Sequence, residues 1–154
     1  MRAMITGHRP GKLGGYAMDS AAVRHIEQEA RRIIAALNPL EDVLVCGMAQ
    51  GVDQLFAEIA FELGIPVHAY VPFYGQESRW PDHAKRMYRS MIHQCESVFF
   101  CADRPSKDAF LLRNAVMVKN ADVAVAVWNG SPGGTAHAID LIHIRGLPLT
   151  MIDV

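Results

Sequence analysis

Cysteine is scarce and unpaired in pattern: Cys46, Cys95 and Cys101 are odd in number and none stands in a C-x-x-C spacing. Neither a disulfide framework nor a zinc knuckle is indicated, and a reducing, cytoplasmic setting is expected. Long apolar runs are missing too. The longest, residues 121–128, includes Asp122 and falls far short of the ~20 residues a membrane span requires, and the N-terminus has no signal-peptide core. No membrane partner is expected. Charge of one sign is not in excess either. A net charge of -1 offers no overall positive field to polyanions, so duplex nucleic acid is not an expected partner, although a local patch can still hold a phosphate. Seven histidines occur without an H-E-x-x-H, and His137 and His143 fall off a common helical face, so no metal site is expected. G-x-S-x-G and G-x-x-x-x-G-K are likewise absent, which sets aside a hydrolase elbow and a P-loop, and nothing calls for a resident cofactor.

What is present is an apolar, evenly patterned chain. Hydrophobic residues make up 51% against 20% charged, too apolar for disorder, and 154 residues suit one domain, 1–154, that buries roughly 70% of its unfolded surface. Short β-rich runs alternate with helix-period segments. Strands are expected at residues 2–5, 43–46, 67–71, 97–101, 123–128 and 149–152, the fifth apolar enough for burial on both faces. Helices are expected from a cap at Asp19 or Ser20, with Val23, Ile26, Ala30, Ile33, Ile34 and Leu37 in register, then at 52–63, 81–94, 108–120 and 135–144. Residues 6–18 are expected as a loop. The pattern is that of βαβ units, hence α/β: a three-layer α/β/α Rossmann-like fold with a mostly parallel sheet. The Met- and Ala-rich helices at 52–63 and 81–94 could serve either the core or a homodimer or higher homo-oligomer interface.

In a parallel sheet the loops after the strands converge on one edge, where ligands bind. The unusual residues fall in those loops: Thr6, Gly7, His8 and Arg9 after the first strand; Gly47, Met48, Ala49, Gln50, Gly51 and Asp53 after the second; Pro72 and Phe73 after the third; Trp128, Asn129, Gly130, Gly133, Gly134 and Thr135 after the fifth. Two are glycine loops opening a helix, where free N–H groups and the helix dipole favour an anion. The plainer reading of such glycines is tight helix-on-sheet packing. Arg113 and Asn114 sit in a helix before the fifth strand and suit either solvent or the cleft. Residues 73–81 offer aromatics, an amide and Glu77, a composition suited to a lid, with Glu77 as candidate carboxylate on a glycosidic bond or else a surface acid near a helix start.

Taken together, Thr6-Gly7-His8-Arg9-Pro10 with Leu13-Gly14-Gly15-Tyr16, Gly47 through Asp53, Arg113-Asn114, and Trp128-Asn129-Gly130 with Gly133-Gly134-Thr135-Ala136 resemble the SLOG superfamily, in particular its small bacterial and phage members that open with T-G-[HY]-R-P. That superfamily includes LOG-type phosphoribohydrolases, the DNA-processing protein DprA/Smf, and sensor domains for nucleotide-derived signals. The resemblance implies a Rossmann-like fold with a nucleotide over the loops at 47–53 and 133–135. One element departs from the LOG pattern: Ala136-His137-Ala138 follows where a glutamate is expected, and the nearest acid is Asp140. Three functions follow as expectations. The first is a small-molecule module binding a nucleotide or nucleotide derivative; the second is an N-glycosidase on nucleoside 5′-monophosphates, with Glu77 and Arg113 catalytic. The third is DprA-like single-stranded DNA binding, which the missing basic stripe disfavours.

Overall fold

The computed structural model describes residues 1–14 and 20–154. Strands and helices alternate: β1 (Arg2–Gly7), α1 (Ala21–Ala35), β2 (Val43–Cys46), α2 (Val52–Glu62), β3 (Val67–Val71), α3 (Asp82–Gln94), β4 (Ser97–Phe100), α4 (Lys107–Lys119), β5 (Val123–Trp128), α5 (Gly134–Arg145) and β6 (Leu149–Asp153), with a 3-10 turn at Pro10–Lys12. Neighbouring strands are all parallel, in the order β4-β3-β2-β1-β5-β6. Parallel neighbours demand crossovers, and the helices supply them on both faces. The alternation of side chains divides the interior accordingly: Ile5, Leu44 and Cys46 join the cluster beneath α1, α2 and α3, while Met4 and Val45 join the one beneath α4 and α5. This is the three-layer Rossmann-like architecture expected from the pattern.

Local chemistry sets the elements. Ser20 caps α1 by accepting the Val23 N–H at 3.2 Å, and Val23, Ile26, Ala30 and Ile34 bury one stripe of the helix. Ile33 and Leu37 pack only partly against the core. Asp19, the other candidate cap, and Gly15 and Tyr16 lie outside the described residues. Helix α2 lies between α1 and α3, so its Val52, Phe56, Ala57, Ile59 and Ala60 are core residues. In α3, Tyr88 and Met91 turn inward, with Trp80 edge-on to Tyr88 at 5.3 Å.

The differences from expectation lie at element ends. β1 runs on through Thr6 and Gly7, which the sequence assigned to a loop, because β5 continues beside them and pairs with them at Ala126 and Val127. Pro81 is the N-cap of α3 rather than part of its first turn, and Pro10 opens a short turn inside the expected loop. Among the described residues no helix is long and apolar enough to cross a membrane.

The chain moves outward from β1 to β4, and α4 then returns it to β5 on the other side of β1. Adjacent loops therefore diverge at the carboxyl ends of β1 and β5. That reversal opens a crevice.

Candidate functional site

A cleft of about 450 Å³ occupies this crevice, within the range of about 300–1,000 Å³ usual for small-molecule sites. Its base is Ile5, Thr6 and Gly7 of β1. Ala49 enters from the β2–α2 loop and Asp53 from the first turn of α2, Ser131 and Pro132 from the β5–α5 loop with Gly134 and Thr135 from the start of α5, and His8, Arg9, Gly11 and Lys12 from the segment after β1. Helix α4 contributes Lys107, Phe110, Leu111, Arg113, Asn114 and Met117. Arg9, Lys12, Lys107 and Arg113 thus share the cleft with a single lining carboxylate, Asp53. In a chain of net charge -1, positive charge is concentrated here.

Helical spacing places the α4 residues: Phe110, Arg113, Asn114 and Met117 follow the i, i+3, i+4, i+7 pattern of one face. Arg113 is only 8% exposed; its Nη1 donates to Gly47 O at 3.0 Å and its Nε to Asn114 Oδ1 at 3.2 Å. Asn114 Nδ2 donates to Gly134 O at 3.1 Å, so α4 ties the β2 loop to the start of α5. Burial lowers the Arg113 pKa, with Asp53 opposing. Phe110 carries both guanidiniums, Arg9 at 5.3 Å and Arg113 at 5.9 Å from its ring centre, and Phe73 meets it edge-on at 5.5 Å.

The β2–α2 loop is built inward. Met48 N–H donates to Cys46 Sγ at 3.4 Å, Ala49 N–H to Asp53 Oδ2 at 3.1 Å, and Val52 N–H to His8 O at 3.1 Å. Its glycines serve close approach. A Cβ on Gly47 would overlap Arg113 Nη1, and one on Gly51, at φ +95°, would overlap His8 O. Gly47, Met48, Gln50 and Gly51 do not line the cleft, whereas Ala49 and Asp53 do. Burial pushes the Asp53 carboxyl up to about 6, against the pull of Arg113, the Ala49 amide and Arg9.

The β5–α5 loop is built outward. Gly133, at φ +141°, is an N-cap with no side-chain bond, and the first turn of α5 holds no acid. The opening amides, at Gly134, Thr135 and Ala136, are ones an α-helix leaves without intrahelical acceptors. Lys12 Nζ lies over this end, donating to Ser131 Oγ at 2.7 Å and Pro132 O at 3.1 Å. Trp128 Nε1 donates to Ser131 O at 2.7 Å and Asn129 Oδ1 accepts the Ser131 N–H at 2.9 Å, so Trp128, Asn129 and Gly130 shape the loop without lining the cleft. Asn129 N–H donates to His8 Nε2 at 2.9 Å, which fixes His8 as the neutral Nδ1–H tautomer; burial first and Lys12 second lower its pKa.

The 72–77 segment stands behind this wall. Pro72 O accepts the Ala102 N–H at 3.0 Å, and Gln76 Nε2 donates to Gly47 O at 3.3 Å. Glu77 is buried, with Oε2 taken by Arg89 Nε at 3.2 Å, and is not among the cleft-lining residues. The structure therefore brings Arg113 into the cleft and leaves Glu77, Pro72 and Phe73 out of its lining. Lys12, Lys107 and Phe110 were not among the residues the sequence singled out. For Phe110 a signal existed, since it lies one helical turn before Arg113. Among the described residues no group of His, Cys, Asp and Glu is placed to hold a metal ion.

The model of the YspA SLOG family matches residues 3–142. A UPF0398 protein of Bacillus pumilus is 29% identical over 140 residues, covering 85% of this chain and 75% of its own length. Among solved structures, DNA processing protein A from Helicobacter pylori, described for its single-stranded DNA binding mode, superposes with a TM-score of 0.69 at 18% identity over 98% of this chain. The Streptococcus pneumoniae DprA superposes at 0.70 with 16% identity over 99% of this chain. This chain spans only 64% and 50% of those two proteins, and at such identity the likeness speaks for the fold.

Proposed function

The chain belongs to the YspA SLOG family, and from that premise we propose that it is a binding module for a phosphate-bearing nucleotide or nucleotide derivative, held in the cleft between β1, α4 and α5. One observation carries this reading. The N-terminus of α5 has no acidic or side-chain cap, and Lys12 stands over it with Arg113, Arg9 and Lys107 around the same space. Beyond the Ser131 and Pro132 oxygens that hold Lys12, the uncapped amides and the ammonium both favour an anion placed between them. A phosphate there would accept from the α5 amides and Lys12, and Arg113 would reach it from the opposite wall. The apolar stretch of Phe110, Leu111 and Met117 would receive the base or ribose.

Thermal denaturation with AMP, ADP-ribose and related nucleotides tests this. A ligand at about 100 times its Kd stabilises by about 2.7 kcal/mol. Unchanged melting with every phosphate-bearing nucleotide would contradict the reading, as would equal shifts with nucleosides that carry no phosphate.

A second reading, N-glycosidic hydrolysis of a nucleoside monophosphate, draws support from Asp53, the carboxylate that lines the cleft and whose pKa is raised to about 6. Asp53, rather than Glu77, would then handle the proton. Chromatography of the same mixtures for free base separates binding from turnover. A single-stranded DNA function, suggested by the DprA likeness, predicts a gel shift with oligodeoxynucleotides that mononucleotides do not compete away.

A further inference from the structure

We infer that the cleft takes up its anionic ligand together with a proton carried by Asp53, so that affinity depends on pH near neutrality. This rests on the nucleotide reading above and adds a second, ionic condition to it.

The geometry around Asp53 is that of a carboxylate whose charge is only partly compensated. Its side chain is 6% exposed and lines the cleft. Oδ2 accepts from Ala49 N–H at 3.1 Å. Among the described residues it forms no salt bridge with Arg113; the two side chains instead converge on the space left by the missing side chain of Gly47, where a Cβ would lie 3.1 Å from Asp53 Oδ2 and overlap Arg113 Nη1. The charged and titratable groups that face it are Arg113 from α4, Arg9 from the segment after β1 and Cys46 of β2, a thiol that burial keeps protonated. Lys12, Lys107 and His8 also line the cleft.

An anion at Arg113 and Lys12 brings negative charge into the same poorly solvated space. It also engages the cations that otherwise favour the ionised form of Asp53. The carboxyl, raised by burial to about 6, is pushed higher in the complex. A group with a higher pKa in the complex takes up a proton on binding, so affinity falls as pH rises between the two values and is flat outside them. The steepest possible fall is about tenfold per pH unit.

Calorimetry near pH 7 in buffers of different ionisation enthalpy counts protons taken up per anion bound. Sulfate is the probe, a dianion that does not titrate there, with AMP run alongside. Net proton uptake is expected for the wild type. For Asp53→Asn, which keeps an acceptor for the Ala49 amide, uptake near zero and a flat affinity across the same range are expected. Binding of sulfate or AMP without proton uptake overturns the inference and leaves the nucleotide reading standing. Uptake undiminished in Asp53→Asn assigns the proton to His8 and also overturns it. Failure of the wild type to bind either anion overturns both. If the variant does not fold, carboxyl carbon NMR of the wild type decides: the Asp53 titration midpoint must rise when sulfate is added, and an unmoved midpoint overturns the inference.

Discussion

The loops that open α2 and α5 share a vocabulary, glycines after a buried parallel strand and before a helix, and they do opposite things. In the β2–α2 loop the glycines let other parts of the protein come close: the Arg113 guanidinium lies against Gly47 and the His8 carbonyl against Gly51. Its amides at Met48, Ala49 and Val52 already have partners inside the protein. Where the β5–α5 loop meets α5 nothing lies within 4 Å of where a Cβ on Gly134 would sit, and Gly134 and Thr135 line the cleft. Glycine after a strand thus records a close approach, and only the neighbours show whether protein or ligand makes it.

Paired alanine substitutions separate the two loops most strongly. Gly51→Ala forces a side chain at positive φ onto a backbone carbonyl and should cost about 4 kcal/mol in urea unfolding. Gly134→Ala should leave stability unchanged or raise it by up to ~1 kcal/mol, since a helical position gains from losing glycine. Equal costs at the two sites would erase the distinction.

Next in size is the charge buried behind the inward loop. The Asp53 carboxyl stands at about 6 in the folded protein against an ordinary 3.8. Below the lower value both states are protonated and the group contributes nothing. Between the two values the unfolded chain loses its proton first, so the folded state is progressively disfavoured, and the cost persists at higher pH. Asp53→Asn should therefore gain stability relative to the wild type by up to about 3 kcal/mol on going from pH 4 to pH 7. A difference that does not vary with pH would mean that Asp53 titrates as an ordinary carboxyl.

The smallest effect belongs to the outward loop. Lys12 is exposed, so Lys12→Ala should shift stability by no more than ~0.5 kcal/mol. Its affinity for AMP should nevertheless fall about tenfold and depend less on salt. Unaltered affinity in calorimetry would remove Lys12 from the phosphate site.

Much of this was legible in the chain. Strand-helix alternation gave the architecture, and the loops after β1, β2 and β5 meet at one edge as a parallel sheet requires. The strand order was not legible, because the return of α4 across β1 depends on packing between distant segments. Nor was the burial of Arg113, which needs Gly47 as a neighbour 66 positions away. Lys12 and Lys107 stand in no motif that marks them, and only the fold brings them to one cleft. Glu77 is the reverse case: its aromatic-rich neighbourhood suggested a lid over a ligand, whereas in the fold Arg89 donates to its Oε2 and Gln76 ties the segment to the backbone of Gly47.

The most direct measurement is a crystal structure of the complex with whichever nucleotide raises the melting temperature most. A phosphate within hydrogen-bond distance of the amides at 134–136 and of Lys12, with Arg113 on its other side, is the predicted result. A phosphate seated instead on the amides of residues 47–52, with the start of α5 empty, would contradict the account.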